Sequence, residues 1–236
     1  MKLKKITQGD SSPSRRRYDD ACGTAHALDL IGERWALLVV RELLLGPKRF
    51  KDLRAGLPSA STNVLSQRLR ELEDAAIIRR RTLPPPAGSS VYELTEWGRE
   101  LKPIVISLGT WAVRSPAFPE GQPVGTDSVI LALGTFFDAD VAGDMRAAYE
   151  LRFGDDVFHA VIADGEIELD RGPAEDPVAV VETDPDTFSA VVWKGRELGE
   201  AERAGELAIE GDRSAVERLV GLFPQPAPAA SPAPRA

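Results

Sequence analysis

The sequence is short of the residues that most active sites need. Among 236 residues there is one cysteine, Cys22, and there are two histidines, His26 and His159. A lone thiol cannot close an intramolecular disulfide or hold an iron–sulfur cluster, and two scattered imidazoles are too few for most metal sites. No apolar run approaches the roughly 18 residues of a membrane-spanning helix. The start, MKLKKITQGDSSPSRRRYDD, is basic but lacks the apolar stretch of a secretory signal. Missing too are GxGxxG, a P-loop, GxSxG and HExxH. Cys22 and His26 stand four apart on a predicted helix, where they could touch, yet no oxyanion donor or third partner accompanies them. The expectation is a cytoplasmic protein that is not an enzyme, holds no metal or cofactor, and does not span a membrane.

The charge, by contrast, is informative. The formal net charge of -8 divides unevenly: residues 1–118 carry 20 Lys+Arg against 13 Asp+Glu, and the rest carry 9 against 24. A domain of +7 followed by one of -15 suits a part that meets a polyanion joined to a part that stays off it. The segment RSPAFPEGQPVGTD, Arg114 to Asp127, places three prolines and two glycines at the boundary. The expected organisation is a flexible arm over 1–17, a domain over 18–115, a linker over 116–126, a second domain over 127–223, and a disordered Pro/Ala-rich tail over 224–236.

In the basic half, Leu28, Ile31, Trp35, Leu38, Val39 and Leu43 recur at helical spacing, with Gly32 expected to break the run. A short helix follows Gly46-Pro47 with Phe50 and Leu53 inward, and Pro58 stops it. Ser59 or Ser61 can cap the next helix, 61–74, whose core face is Leu65, Leu69 and Leu72. Two β-rich runs, 77–83 and 91–94, flank PPPAGSS and predict a two-stranded wing. Thr95 then opens a helix with Leu101, Ile104, Val105, Leu108 and Trp111 on one face. Such an apolar face predicts a homodimer through this helix and the first, which would set two recognition helices one turn apart on a palindromic duplex.

The run Cys22, Asp29-Leu-Ile-Gly-Glu-Arg-Trp35, Arg41-Glu-Leu, Gly46-Pro-Lys-Arg-Phe50, Leu53, Ser61, Val64-Leu-Ser-Gln-Arg-Leu-Arg-Glu-Leu-Glu73, Tyr92, Leu94-Thr95 and Gly98-Arg-Glu-Leu101 resembles the HxlR family of MarR-like winged-helix transcription regulators. The resemblance spans about residues 18–115 and implies a dimeric repressor or activator on double-stranded DNA with a palindromic operator. The sequence departs at Ala76, where the family usually has glycine.

With Leu65, Leu69 and Leu72 inward, helical geometry turns Thr62, Asn63, Ser66, Gln67 and Arg70 outward near the helix start, beside Ser61. Asn63 and Gln67 suit adenine, and Arg70 suits guanine or phosphate. Without the family context this is the pattern of a solvated helix face. Lys48 and Arg49 before it, and Arg79 and Arg81 on one face of the wing, are candidate phosphate contacts. The resemblance also implies a redox role for Cys22; the alternative is a small buried residue. Asp19 and Asp20 disfavour a thiolate and Arg15 to Arg17 oppose them.

In the acidic half, a helix is expected over 138–148 and strands over 149–152, 157–163, 166–170 and 178–183. A helix over 186–192, a strand over 205–209 and a last helix ending at Leu222 complete an α+β domain with a mostly antiparallel sheet. Asp184-Pro-Asp-Thr-Phe188 and Gly205-Glu-Leu-Ala-Ile-Glu-Gly-Asp212 resemble the sterol carrier protein type 2 fold, which implies an apolar cavity for a hydrophobic small molecule. Phe136, Phe153, Phe158, Phe188 and Trp193 are its candidate lining, and equally an ordinary core. Asp164, Glu166, Glu168 and Asp170 invite a calcium reading, but i, i+2 spacing makes them a solvated strand face. The expected whole is a mainly α winged helix-turn-helix domain followed by an α+β domain. Its expected function is DNA-binding regulation under small-molecule control, the alternative being a lipid carrier or interaction protein with non-specific DNA binding.

Overall fold

The computed structural model describes residues 18–85, 88–119 and 121–230. The expected arm over 1–17 and the tail end, 231–236, lie outside the described residues. The apolar run after Cys22 forms α1 (Gly23–Ile31) and α2 (Ala36–Leu43), separated just after Gly32. Trp35 leads into α2 with φ 79, and the Arg34 guanidinium lies 5.0 Å over its ring. Next come α3 (Phe50–Gly56), α4 (Thr62–Asp74), β1 (Ile78–Thr82), β2 (Ser90–Leu94), α5 (Glu96–Arg99) and α6 (Lys102–Val113). Val39, Val40 and Leu43 of α2 meet Leu53 of α3 and Leu65, Leu69 and Leu72 of α4 in one buried core.

The closing helix expected from Thr95 is divided between α5 and α6. Thr95 is the hinge of the local packing: its hydroxyl accepts from the Gly98 N–H at 2.9 Å and donates to the Ala76 carbonyl at 2.8 Å. Any Cβ at Gly98 would collide with the carbonyl of Ile77, which explains a glycine in the first turn of a helix. The Ala76 departure has a visible consequence. α4 ends with Ile77 N–H bonded to Leu72 O and Ala76 N–H to Glu73 O, the paired bonds of a Schellman motif, and Ala76 sits at its left-handed position with φ 57.

The second domain runs α7 (Thr126–Phe136), α8 (Ala139–Ala142), β3 (Ala147–Phe153), β4 (Asp156–Ala163), β5 (Glu166–Arg171), β6 (Ala179–Thr183), α9 (Pro185–Trp193), α10 (Leu198–Arg203), β7 (Leu207–Gly211) and α11 (Arg213–Val220). Among the described residues its strands form one sheet ordered β5-β4-β3-β6-β7, antiparallel except for β3 with β6. One face, including Tyr149, Leu151, Phe158, Ala160 and Val181, is buried with Val129, Ile130 and Leu133 of α7, Phe188 of α9 and Val216 of α11. Glu166, Glu168 and Asp170 lie exposed on β5, alternating with half-buried Ile167 and Leu169.

Two helical expectations are corrected. The helix expected over 138–148 shrinks to Ala139–Ala142, because Gly143 turns the chain at φ 54 and Ala147 already belongs to β3. The principal helix of this region is instead α7, which begins inside the expected linker. The expected disordered tail is also held in part: Arg114 Nε donates to Ala227 O at 3.1 Å, and Ala229 N donates to Arg114 O at 2.7 Å.

The left-handed alanine yields a prediction. Ala76→Gly should stabilise the protein by about 1 kcal/mol, since a left-handed L-residue costs roughly 1–2 kcal/mol. Urea unfolding would show this as a higher midpoint; an unchanged or lower midpoint would contradict strain at this turn.

Candidate nucleic-acid interface and domain seam

α4 is the element best placed to present side chains. The Ser61 hydroxyl caps it by accepting from Val64 N at 3.4 Å. With Leu65, Leu69 and Leu72 in the core, Thr62, Asn63, Gln67 and Arg70 stand exposed and Ser66 half-buried. Gln67 Nε2 donates to Glu71 Oε1 at 3.0 Å, a bond an incoming base edge would have to replace. Arg68, not among the residues expected at the site, is buried, pairs with Glu71 and stands 3.6 Å from Glu33. Its signal was available: position 68 falls between Leu65 and Leu72 on the inward side.

The wing sets its arginines through one carboxylate. Arg79 is opposite Glu93 in the β1–β2 register, and Arg79 Nε and Arg81 Nη2 approach the two Glu93 oxygens at 2.6 and 2.9 Å. Burial would raise the Glu93 carboxyl, but the two guanidiniums outweigh it and hold the group below its ordinary value. Both arginines remain substantially exposed. Arg80 projects from the other face, donates to Ser90 Oγ at 2.6 Å and lies 6.0 Å from the Tyr92 ring centre. Arg49 Nε donates to Ser89 Oγ at 2.9 Å, tying the front of α3 to the loop end of the wing, just before β2.

Lys48 is a correction. Expected on the outer surface, its side chain is only 11% exposed and its Nζ lies 2.6 Å from Glu42 Oε2 and 2.5 Å from Asp127 Oδ2. The cause is backbone pairing: Lys48 and Tyr92 exchange N–H···O bonds of 3.0 and 2.8 Å, which fixes Lys48 beside the wing while its ammonium joins buried carboxylates. Asp127, in the first turn of α7, also pairs with Arg171, which binds Asp156 at 2.6 Å. An alternating ion chain thus crosses from the first domain to the second.

Cys22 is exposed, not buried, and it precedes α1 at the cap position. The N–H groups of Ala25 and Thr24 draw its thiol below the ordinary value, so the helix start prevails over the acidic neighbours weighed from sequence. Asp20 accepts instead from the Cys22 N–H at 2.9 Å. On α6 no residue is buried, and Ile104, Leu108 and Trp111 are exposed, Trp111 by 74%. Leu101 is half-buried against the first core, and Leu28 of α1 adds another exposed apolar side chain.

The five aromatic residues expected around one pocket are divided. Phe153, Phe158 and Phe188 are buried and pack edge to face, Phe153 with Phe188 at 5.6 Å between ring centres. Phe136 and Trp193 form a separate pair at 6.3 Å, and Trp193 Nε1 donates to Phe223 O. Their rings satisfy one another, which is core packing. Among the described residues no group of three His, Cys, Asp or Glu is placed to hold a metal.

The model of the HxlR-like helix-turn-helix family matches residues 30–116. The HTH-type transcriptional regulator YvaP of Bacillus subtilis, itself uncharacterized, is 38% identical over 94 residues, covering 39% of this chain and 87% of that protein. The chain belongs to the HxlR-like helix-turn-helix family. A second Bacillus subtilis relative, the HTH-type transcriptional regulator YodB, is 38% identical over 86 residues, covering 36% of this chain and 77% of that protein. The solved reduced form of YodB is 34% identical, covers 42% of this chain and 98% of that one, and has a TM-score of 0.38. This HxlR-like chain is a transcriptional regulator of the HxlR and MarR-like type, and the family match ends before α7. No described helix is long and apolar enough to cross a membrane.

Glu93 supplies a pH prediction. Its carboxyl is depressed in the folded protein, so its contribution exists above the unfolded value and is lost as pH falls through the folded one. The stability advantage of the wild type over Glu93→Gln, followed by thermal unfolding from about pH 6 to about pH 2, should shrink with acidification. A difference that stays constant over that range would contradict the pairing.

Proposed function

We propose that the chain is a homodimeric, sequence-specific DNA-binding regulator that reads a palindromic operator with α4 of each protomer. The observation that carries this reading is the α4 surface: Leu65, Leu69 and Leu72 lock the helix to its core while Thr62, Asn63, Gln67 and Arg70 are left facing out. Asn63 and Gln67 suit adenine edges, Arg70 suits guanine or a phosphate, and Ser61 and Ser66 flank them. Arg79 and Arg81, held together by Glu93, are the phosphate contacts of the wing, and Arg49 serves beside its loop end. Lys48 leaves this set, being committed to Glu42 and Asp127.

The dimer forms through α6, whose Ile104, Leu108 and Trp111 would otherwise be an unpaired apolar face, with α1 beside it. Cys22 serves as a redox-responsive group on this reading, supported by its exposure and depressed thiol. The second domain supplies control by a small molecule. Its helices on one face of a five-stranded sheet support the resemblance to the sterol carrier protein type 2 fold, with the aromatic residues as its core. Regulation is favoured over a carrier role because a carrier gives no reason for a positively charged winged helix.

Two tests address the reading and its geometry. Arg70→Ala should weaken binding to duplex DNA from the gene's own upstream region by about 1–3 kcal/mol in fluorescence anisotropy; full affinity would remove Arg70 from the reading set. Trp111→Glu should convert the dimer to monomer in analytical ultracentrifugation, and a dimer that persists would exclude α6 as the interface.

A further inference from the structure

Between the two domains lies a cleft of about 790 Å³. One wall is Trp35, Leu38, Leu57 and Pro58 of the winged helix, and the opposite wall is Pro123 and Val124 ahead of α7. Its charged lining is unbalanced, with three cations and five carboxylates. Every cation is already engaged: Arg41 with Glu42 at 2.6 Å, Lys48 with Glu42 and Asp127, and Arg171 with Asp127 and Asp156. Two carboxylates are left over. Among the described residues Asp155, exposed at the β3–β4 turn, makes no ion pair, and Asp52, which accepts from the Arg49 N–H at 3.2 Å, has no cation nearer than Lys51 at 4.0 Å. An anion entering here would meet surplus negative charge, whereas a positively charged group would balance it and an apolar body would lie against the tryptophan and proline walls.

The same cleft touches the DNA-reading machinery. Gly56, Leu57, Pro58 and Ser59, which form the turn from α3 into α4, line it. An occupant therefore bears at once on the second domain and on the segment that aims α4.

We propose that the domain seam is a binding site for an amphipathic organic cation, whose occupancy changes DNA affinity through the Gly56–Ser59 turn. The coupling rests on the DNA-binding reading above; the binding itself does not. It would convert the domain boundary into a regulatory site, since a ligand alters an equilibrium by as much as its affinities for the two arrangements differ.

The test uses the full-length protein and benzyltrimethylammonium as the probe, with tetramethylammonium and phenylacetate as its charge-only and opposite-charge controls. In calorimetry the aromatic cation should bind saturably and phenylacetate should not. Ala55→Trp, at an exposed cleft-lining position of α3, should abolish binding by filling the space. Asp52→Asn with Asp155→Asn should weaken it by about fivefold. Absence of binding, equal binding of phenylacetate, or undiminished binding to Ala55→Trp would overturn the site. In a second arm at constant ionic strength, benzyltrimethylammonium should change operator affinity by about fivefold or more relative to tetramethylammonium, and not in Ala55→Trp. Binding without that change would overturn the coupling. Operator binding is measured in the same arm without any cation, so loss of the DNA-binding reading is seen separately from loss of the site.

Discussion

A carboxylate that is 2% exposed cannot keep its charge without partners, and Asp127 is such a group. Burial pushes its carboxyl up, while Lys48 and Arg171 pull against that shift. Lys48 comes from the winged helix and Arg171 from the end of β5, so the condition for charge at Asp127 is that the two domains stay together. Truncating one partner of such a buried pair typically costs about 3–5 kcal/mol, because the remaining charge is stranded. The ion chain from Arg41 through Glu42, Lys48, Asp127 and Arg171 to Asp156 is where the positive and negative halves meet.

Lys48 makes this seam matter to function. Its backbone is hydrogen-bonded to Tyr92 of the wing, its ammonium bridges Glu42 of α2 and Asp127 of α7, and Arg49 beside it reaches Ser89. Wing, helical core and second domain therefore share one short stretch of chain. Gly56 belongs to the same arrangement, since any Cβ there would run into the Glu42 carboxylate. The family match ends at residue 116, and the second domain that follows it is joined through Lys48 beside the wing and lies against the turn into α4.

The elements with strong local signals were legible in the sequence. Leu65, Leu69 and Leu72 at helical spacing, a serine cap at Ser61 and β-rich runs around a proline turn lead to α4 and the wing within a residue or so. α7 was not seen because its apolar residues adjoin a Pro/Gly-rich segment and carry no cap signature, and in the Asp138–Ala148 window only Ala139 and Ala142 stay helical while the sheet claims Ala147 and Ala148. Lys48 was misassigned for a different reason: composition shows a basic residue ahead of α3 and α4, but only tertiary pairing shows which carboxylates it meets. The aromatic set followed the same rule. The resemblance gathered these rings around one cavity, while their division into two packed groups depends on sheet and helix placement that no local pattern encodes.

On the proposed reading, the outward face of α4 and the wing arginines form a site for specific duplex DNA. The most direct measurement is binding of the full chain to its own upstream duplex and to a random duplex across a salt series. Log affinity should fall steeply with log salt, with a slope of about -0.9 per phosphate neutralised, and the upstream affinity should be at least about a thousandfold above random. Equal, shallow binding to both duplexes, or none at low salt, would contradict it.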